Sequence, residues 1–148
     1  LFQAAGLLGS YNPQSLSPQT ELGDYGLHLG CAFQLMDDVM DYQAHPDVMG
    51  KNIGDDLKEG KMTLPLLWAL NKGTASEAKI IKESIQEGTL KDLSAIQAVI
   101  ASTGAIEYTL GKAKEHASIA LKKLDILGDS IYKTALTNLT NFSVHREC

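Results

Sequence analysis

The 148-residue sequence holds only two cysteines, Cys31 and Cys148, far apart and without the spacing of a metal-binding pair. No disulfide framework is indicated, and a reducing, cytoplasmic compartment is expected. No apolar run is long enough to cross a bilayer, which sets a transmembrane segment aside. No charged segment followed by an apolar one opens the chain. Basic charge is also short: 13 Lys and Arg face 18 Asp and Glu, a net −5, which argues against nucleic-acid binding. No segment sustains period-two alternation, and neither internal repeats nor low-complexity stretches occur. No Met stands at position 1, and Leu1–Leu8 reads like the middle of a helix. The chain is therefore expected to be a fragment or a processed product.

What is present has helical period throughout, so an all-α bundle is expected. Ser10–Ser17 reads as a loop, with Ser17 as N-cap and Pro18 at the first helical position. A long helix should follow to about Gln43. Ala44–Met62, rich in glycine, reads as a long functional loop with a short turn inside. A helix is expected over Thr63–Asn71, closed by Gly73. Thr74-Ala-Ser-Glu77 has the form of a capping box, and Thr89-Leu-Lys-Asp92 resembles one. Ile106, Leu110, Ala113, Ala117, Leu121 and Leu124 step by three and four as a packing seam. Gly128 should stop that helix and Asp129 cap the last one, which should point Ile131, Ala135, Leu139 and Phe142 inward.

The chemistry concentrates in Phe33-Gln-Leu-Met-Asp37-Asp38-Val-Met-Asp41. At 100° per residue, with Gln34 at zero, Asp41 falls near about −20°, Asp38 near about +40° and Asp37 near about −60°. Ala32, Leu35, Met36 and Val39 take the opposite face. Three carboxylates within a turn repel by up to about 4 kcal/mol per close pair at a near-surface dielectric. No Lys or Arg lies within a turn of them on that helix. A hard divalent cation, Mg²⁺ or Ca²⁺, would relieve the repulsion. For an isolated Asp-Asp-x-x-Asp, a solvated acidic face is the commoner meaning.

The following segment changes that balance. It reads Gly50-Lys51-Asn52-Ile53-Gly54-Asp55-Asp56-Leu57-Lys58-Glu59-Gly60-Lys61-Met62-Thr63-Leu64-Pro65. Its glycines allow close backbone approach to a ligand, and Lys51 and Lys61 supply point charges for phosphate oxygens. Carboxylates followed by a Gly/Lys loop suit a diphosphate site. Together these residues resemble the second aspartate-rich motif and following loop of trans-type polyprenyl diphosphate synthases, nearest to the bacterial octaprenyl-forming members. The resemblance runs over the whole chain, is strongest from Phe33 to Leu67 and weak after Gly73.

The resemblance implies a partial helical bundle, with residues 1–148 forming the C-terminal part of one synthase domain. It implies Mg²⁺ at Asp37, Asp38 and Asp41, with Asp37 the foremost ligand. Lys51 would grip the leaving diphosphate, Lys61 would assist, and Phe33 and Gln34 would lie near the allylic headgroup. Substrates would be isopentenyl diphosphate and an allylic diphosphate. The first aspartate-rich motif, its arginine pair and a Lys-Thr pair of the family are absent from this sequence. The chain alone is therefore expected to be inactive or nearly so, and to associate into a dimer or higher homo-oligomer. Two other readings stand beside this one: a non-catalytic subunit of a heteromeric prenyltransferase, and a metal-binding helical module without an isoprenoid role. Gly23, Leu27 and Gly30 lie near the carboxylate face, where they either make room for an isoprenoid tail or admit a neighbouring helix, and the second is favoured. His28, His45, His116 and His145 show no partner pattern. Lys112, Lys114, Lys122 and Lys123 read as solvated charge, Arg146 as mobile, and Tyr11, Trp68 and Phe142 as core or groove aromatics.

Overall fold

The computed structural model describes residues 1–9, 17–43 and 54–145, and among these every regular element is helical. In chain order they are α1 (Phe2–Gly9), α2 (Ser17–Gln43), α3 (Asp55–Lys58), α4 (Leu64–Lys72), α5 (Ala75–Glu87), α6 (Leu93–Ser102), α7 (Ala105–Lys123) and α8 (Ile131–Val144), with a 3₁₀ turn at Leu124–Ile126. The long helix ends at Gln43 as its sequence predicts. No described helix is long and apolar enough to cross a membrane. The chain forms two compact units: one holds Leu1–Met36 and the segment from Gly111 onward, the other Asp37–Leu110.

The second unit follows its local signals closely. Thr63 stands before α4 with proline in the first turn, and Gly73 closes that helix. Thr74 and Glu77 form the expected capping box: the Thr74 N–H donates to Glu77 Oε2 at 2.7 Å and the Glu77 N–H to Thr74 Oγ1 at 3.4 Å. Gly88 ends α5 at φ 60°, a left-handed conformation that glycine adopts without Cβ strain. The Thr89–Asp92 segment departs from expectation. Thr89 Oγ1 accepts from Lys91 N–H at 3.2 Å, α6 starts only after Asp92, and the Asp92 side chain makes no cap. The glutamate or glutamine that closes a capping box is missing there, so the threonine turns inside its own loop. Val39, Tyr42, Leu57, Leu66, Ile81, Ile96, Val99 and Ile100 form the core, and burial of each large aliphatic contributes about 1.5–3 kcal/mol.

The first unit is built differently. A Cβ at Gly26 would collide with the Phe2 carbonyl, and one at Gly6 with the Leu22 carbonyl. One at Gly23 would stand 2.6 Å from Leu7 Cδ2, and one at Gly30 3.3 Å from the Phe2 ring. Gly6 and Gly26 let α1 and α2 lie backbone against backbone, while Gly23 and Gly30 lie against the Leu7 and Phe2 side chains of α1, so both admit the neighbouring helix. Leu27 is exposed.

The last helix reverses its predicted facing. Ile131 and Phe142 are 78% and 63% exposed, and Ala135 and Leu139 are exposed with them. Thr140, Ser143 and Val144 are buried instead. Their hydroxyls satisfy themselves on the backbone: Thr140 Oγ1 reaches the Leu136 carbonyl at 3.0 Å and Ser143 Oγ the Thr140 carbonyl at 2.7 Å. Tyr25 also donates to the Leu136 carbonyl at 3.0 Å and lies 3.2 Å from Thr140 Oγ1. A polar face so paired can be buried at little cost. The cap also moves by one residue. Ser130, not Asp129, accepts from the Lys133 N–H, at 3.2 Å. Lys123 is not merely solvated, since it pairs with Glu21 and Asp24, each at 2.9 Å.

Candidate functional site

Asp37, Asp38 and Asp41 lie near the C-terminal end of α2, in the second unit, but they are not equally open. Asp37 and Asp41 are half-buried, whereas Asp38 is 8% exposed. Ala32, Met36 and Val39 are buried as their positions require. Met40 and Tyr42 are buried too, so the acidic stretch lies largely inside its surroundings rather than on a solvated face.

The backbone beyond residue 53 folds back onto Asp41. Gly54 N–H donates to the Asp41 carbonyl at 3.0 Å, and Asp56 N–H to Asp41 Oδ2 at 3.3 Å. Gly54 makes this possible at φ 84°, a left-handed conformation that favours glycine, beneath Leu90 and Leu93, on whose methyl groups a Cβ would press. The Asp41 carboxylate thus meets an amide of α3's first turn. Burial first, then the charges of Asp56 and Asp55, push its pKa up to about 6. Tyr42 is buried beside it; burial above all, and then Asp41, Asp56 and Asp38, push its phenol well up, so it stays a proton donor.

Among the described residues no three acidic, histidine or cysteine side chains converge as a ready metal cage. The donor set nevertheless fits a hard cation. Asp41 is held above its ordinary pKa by burial and then by the charges of Asp56 and Asp55, and a cation beside it would offset both. An ion that takes one or two carboxylates, completing its shell with water and phosphate oxygens, needs no closed cage.

Lys61 is committed elsewhere. It pairs with Glu59 Oε2 at 2.7 Å and Asp56 Oδ1 at 3.0 Å, which hold its ammonium well above the ordinary lysine range. To reach a phosphate it would have to exchange one of these partners. Lys51, His45, Tyr11, Arg146 and the segment Gly50–Ile53 lie outside the described residues. Phe33 and Gln34 belong to the first unit. Phe33 packs on Phe2, ring centres 5.7 Å apart, and Gln34 is exposed. Trp68 packs, partly buried, against the core of the second unit: it stacks on Tyr108 at 3.6 Å, donates to the Thr103 carbonyl at 3.0 Å and lies under Lys72.

Two features escaped the sequence. Asp55 and Asp56 act on Asp41 directly; the signal for this was the Gly-Asp-Asp triplet, a flexible residue followed by acidic ones at a helix start. The second is a contact between His28 and His116, 88 positions apart, which no spacing rule could pair.

The sequence matches the polyprenyl synthetase family over residues 1–103. It is 42% identical over 148 residues to the octaprenyl diphosphate synthase of Haemophilus influenzae, covering 99% of this chain and 45% of that protein. The fold superposes with a TM-score of 0.87, at 36% identity, on a polyprenyl synthase from Caulobacter crescentus solved with calcium and isoprenyl diphosphate. That match covers 99% of this chain and 46% of the other. A geranylgeranyl pyrophosphate synthase from Corynebacterium glutamicum, solved with isoprenyl diphosphate and magnesium, matches at TM-score 0.78 and 29% identity, over 90% of this chain and 39% of its own. The chain thus spans less than half the length of these relatives. With a family match over more than two thirds of its residues, and an all-helical fold shared with solved synthases, this chain belongs to the polyprenyl synthetase family.

Proposed function

We propose that this chain is the C-terminal part of a trans-type polyprenyl diphosphate synthase domain, whose upstream part supplies the other wall of the active site. The whole enzyme condenses isopentenyl diphosphate with an allylic diphosphate. The observation that carries this reading is the Gly54–Asp56 turn closed over Asp41, which gathers carboxylates beside the aspartate motif. Asp37, Asp38 and Asp41 are the residues that would hold Mg²⁺, directly or through water. When bound, that cation would stabilise the negative charge that develops on the departing diphosphate.

The chain's own residues do the rest. Lys51 supplies a fixed positive charge to the same phosphate oxygens, and Lys61 does so on leaving Asp56 or Glu59. Gln34 offers amide hydrogens to the allylic headgroup, and Phe33 an apolar surface beside it. The allylic C–O bond breaks, the isopentenyl double bond attacks the carbocation, and the proton lost passes to the released diphosphate. The whole protein works in the cytoplasm as a homo-oligomer.

The test is reconstitution. The purified chain is incubated with Mg²⁺, farnesyl diphosphate and labelled isopentenyl diphosphate, with and without a separately expressed upstream half from a close homologue. Product is expected only with that half present. Asp37→Asn in the mixture should lower turnover by about 10²-fold or more. A formed complex without product would replace this reading with a non-catalytic subunit or a plain metal-binding module.

A further inference from the structure

We infer that His28 and His116 form a two-imidazole site for a borderline first-row transition-metal ion such as Zn²⁺ or Cu²⁺. The two rings come from α2 and α7 within the first unit. Their Nδ1 atoms face each other at 2.8 Å, with ring centres 5.0 Å apart and planes inclined by 36°. Both side chains are half-buried, so water reaches the pair without surrounding it.

The pair now makes one hydrogen bond, which uses one N–H and one lone pair. Moving the donor ring's proton to its Nε2 leaves both Nδ1 lone pairs in the gap between the rings. Imidazole nitrogens bind Zn²⁺ at about 2.0–2.1 Å, which places two nitrogens of a tetrahedral ion roughly 3.3–3.4 Å apart. The rings therefore need to part by about half an ångström and, because their nitrogens meet almost head-on, to tilt by roughly 35° each toward a common ion. The ion's remaining positions stay open to water. Burial, and then the neighbouring His28, hold the His116 pKa below the ordinary histidine range, and the neutral ring is the form that ligates.

The surrounding charge does not oppose an ion. Lys112, a turn before His116, is paired with Glu115 at 2.7 Å, so its charge is compensated beside the site. Imidazole selects Cu²⁺, Zn²⁺ and Ni²⁺ over Mg²⁺ and Ca²⁺, so this chemistry is opposite to that of the aspartates on the same helix. Cys31, one turn after His28, offers a softer atom on the same helix and makes a natural control.

The full chain is titrated with Cu²⁺ and with Zn²⁺ by calorimetry, and the copper form is examined by electron paramagnetic resonance. One ion per chain is expected, with hyperfine splitting from two nitrogens. His28→Gln and His116→Gln should each weaken binding by at least about tenfold. Cys31→Ser and excess Mg²⁺ should leave it unchanged. The inference is overturned if the folded chain binds neither ion, if Mg²⁺ displaces the ion, or if Cys31→Ser removes it. It is equally overturned if both glutamine variants bind as before. The nitrogen count comes from the unaltered chain, so zero or one nitrogen refutes the site even if a variant fails to fold.

Discussion

Each of the two compact units of this chain is held together internally by its own means. Asp37–Leu110 packs branched aliphatic side chains around a common core and closes its helices with local caps. The unit made of Leu1–Met36 and the segment from Gly111 onward has a smaller buried cluster of Tyr25, Leu29, Ala120 and Leu124. It relies on glycine-mediated backbone approach, a Tyr25–Leu136–Thr140 hydrogen-bond group, and Lys123 paired with two carboxylates. Aliphatic packing announces itself in a sequence through periodicity. Glycine approach and hydroxyl pairing do not.

The sharpest way to break this contrast is to remove aliphatic volume from the second unit. Leu66 is fully buried, and Leu66→Ala should cost about 2–5 kcal/mol in chemical denaturation, the lost transfer free energy plus the cavity left behind. A cost below about 1 kcal/mol would mean that the core collapses freely and that the two units differ less than described.

Gly26→Ala tests the opposite kind of contact. Its methyl group would run into the Phe2 carbonyl, so α1 must move away from α2 at about 1–3 kcal/mol. Hydrogen exchange should quicken across Phe2–Gly9 while α6 keeps its protection. Uniform loss of protection would show that the units do not respond separately.

These two substitutions also mark how far the sequence could be read. The end of α2 at Gln43, the Thr74–Glu77 box and the break at Gly73 were legible, because each depends on residues within a turn or two. The acidic motif and its following loop were legible as marks of the family. Their geometry was not: the meeting of Asp41 with Asp56 depends on a left-handed Gly54 beneath Leu90 and Leu93. The facing of α8 was misread because Thr140 and Ser143 count as polar in any periodicity, although both spend their polarity on nearby carbonyls. His28 and His116 were invisible as a pair because only the packing of α2 against α7 joins them.

A smaller effect should come from Asp41. Its carboxyl titrates near 6 in the folded chain against an ordinary 3.8, so between those values the folded chain holds the extra proton. Stability from this group is therefore full below about pH 4, falls as the pH rises to about 6, and stays low above that. Discounted for the half-exposed side chain, the effect is on the order of 1 kcal/mol. Asp41→Asn should flatten the profile between pH 4 and 6 and stabilise the cation-free chain at pH 8 by about that amount. With Mg²⁺ and diphosphate present the order should reverse, since the asparagine gives up a charged ligand. An unchanged profile in the variant would assign the pH dependence to other groups.

The smallest effect is expected where periodicity promised one of the largest. Read as a core residue, Ile131 would cost several kcal/mol when replaced by serine. At 78% exposure it has almost no buried area to lose, and Ile131→Ser should shift the unfolding free energy of the dilute chain by less than about 0.5 kcal/mol. The substitution leaves the Ser130 cap and the Tyr25–Leu136–Thr140 group in place, so it probes the facing of α8 alone. Thr140→Val makes the paired measurement, because it removes a buried hydroxyl that serves both Tyr25 and the Leu136 carbonyl. It should cost about 1 kcal/mol despite gaining an apolar methyl group. If the isoleucine substitution proved the costlier of the two, α8 would have to face the other way, and the first unit would be an aliphatic core like the second.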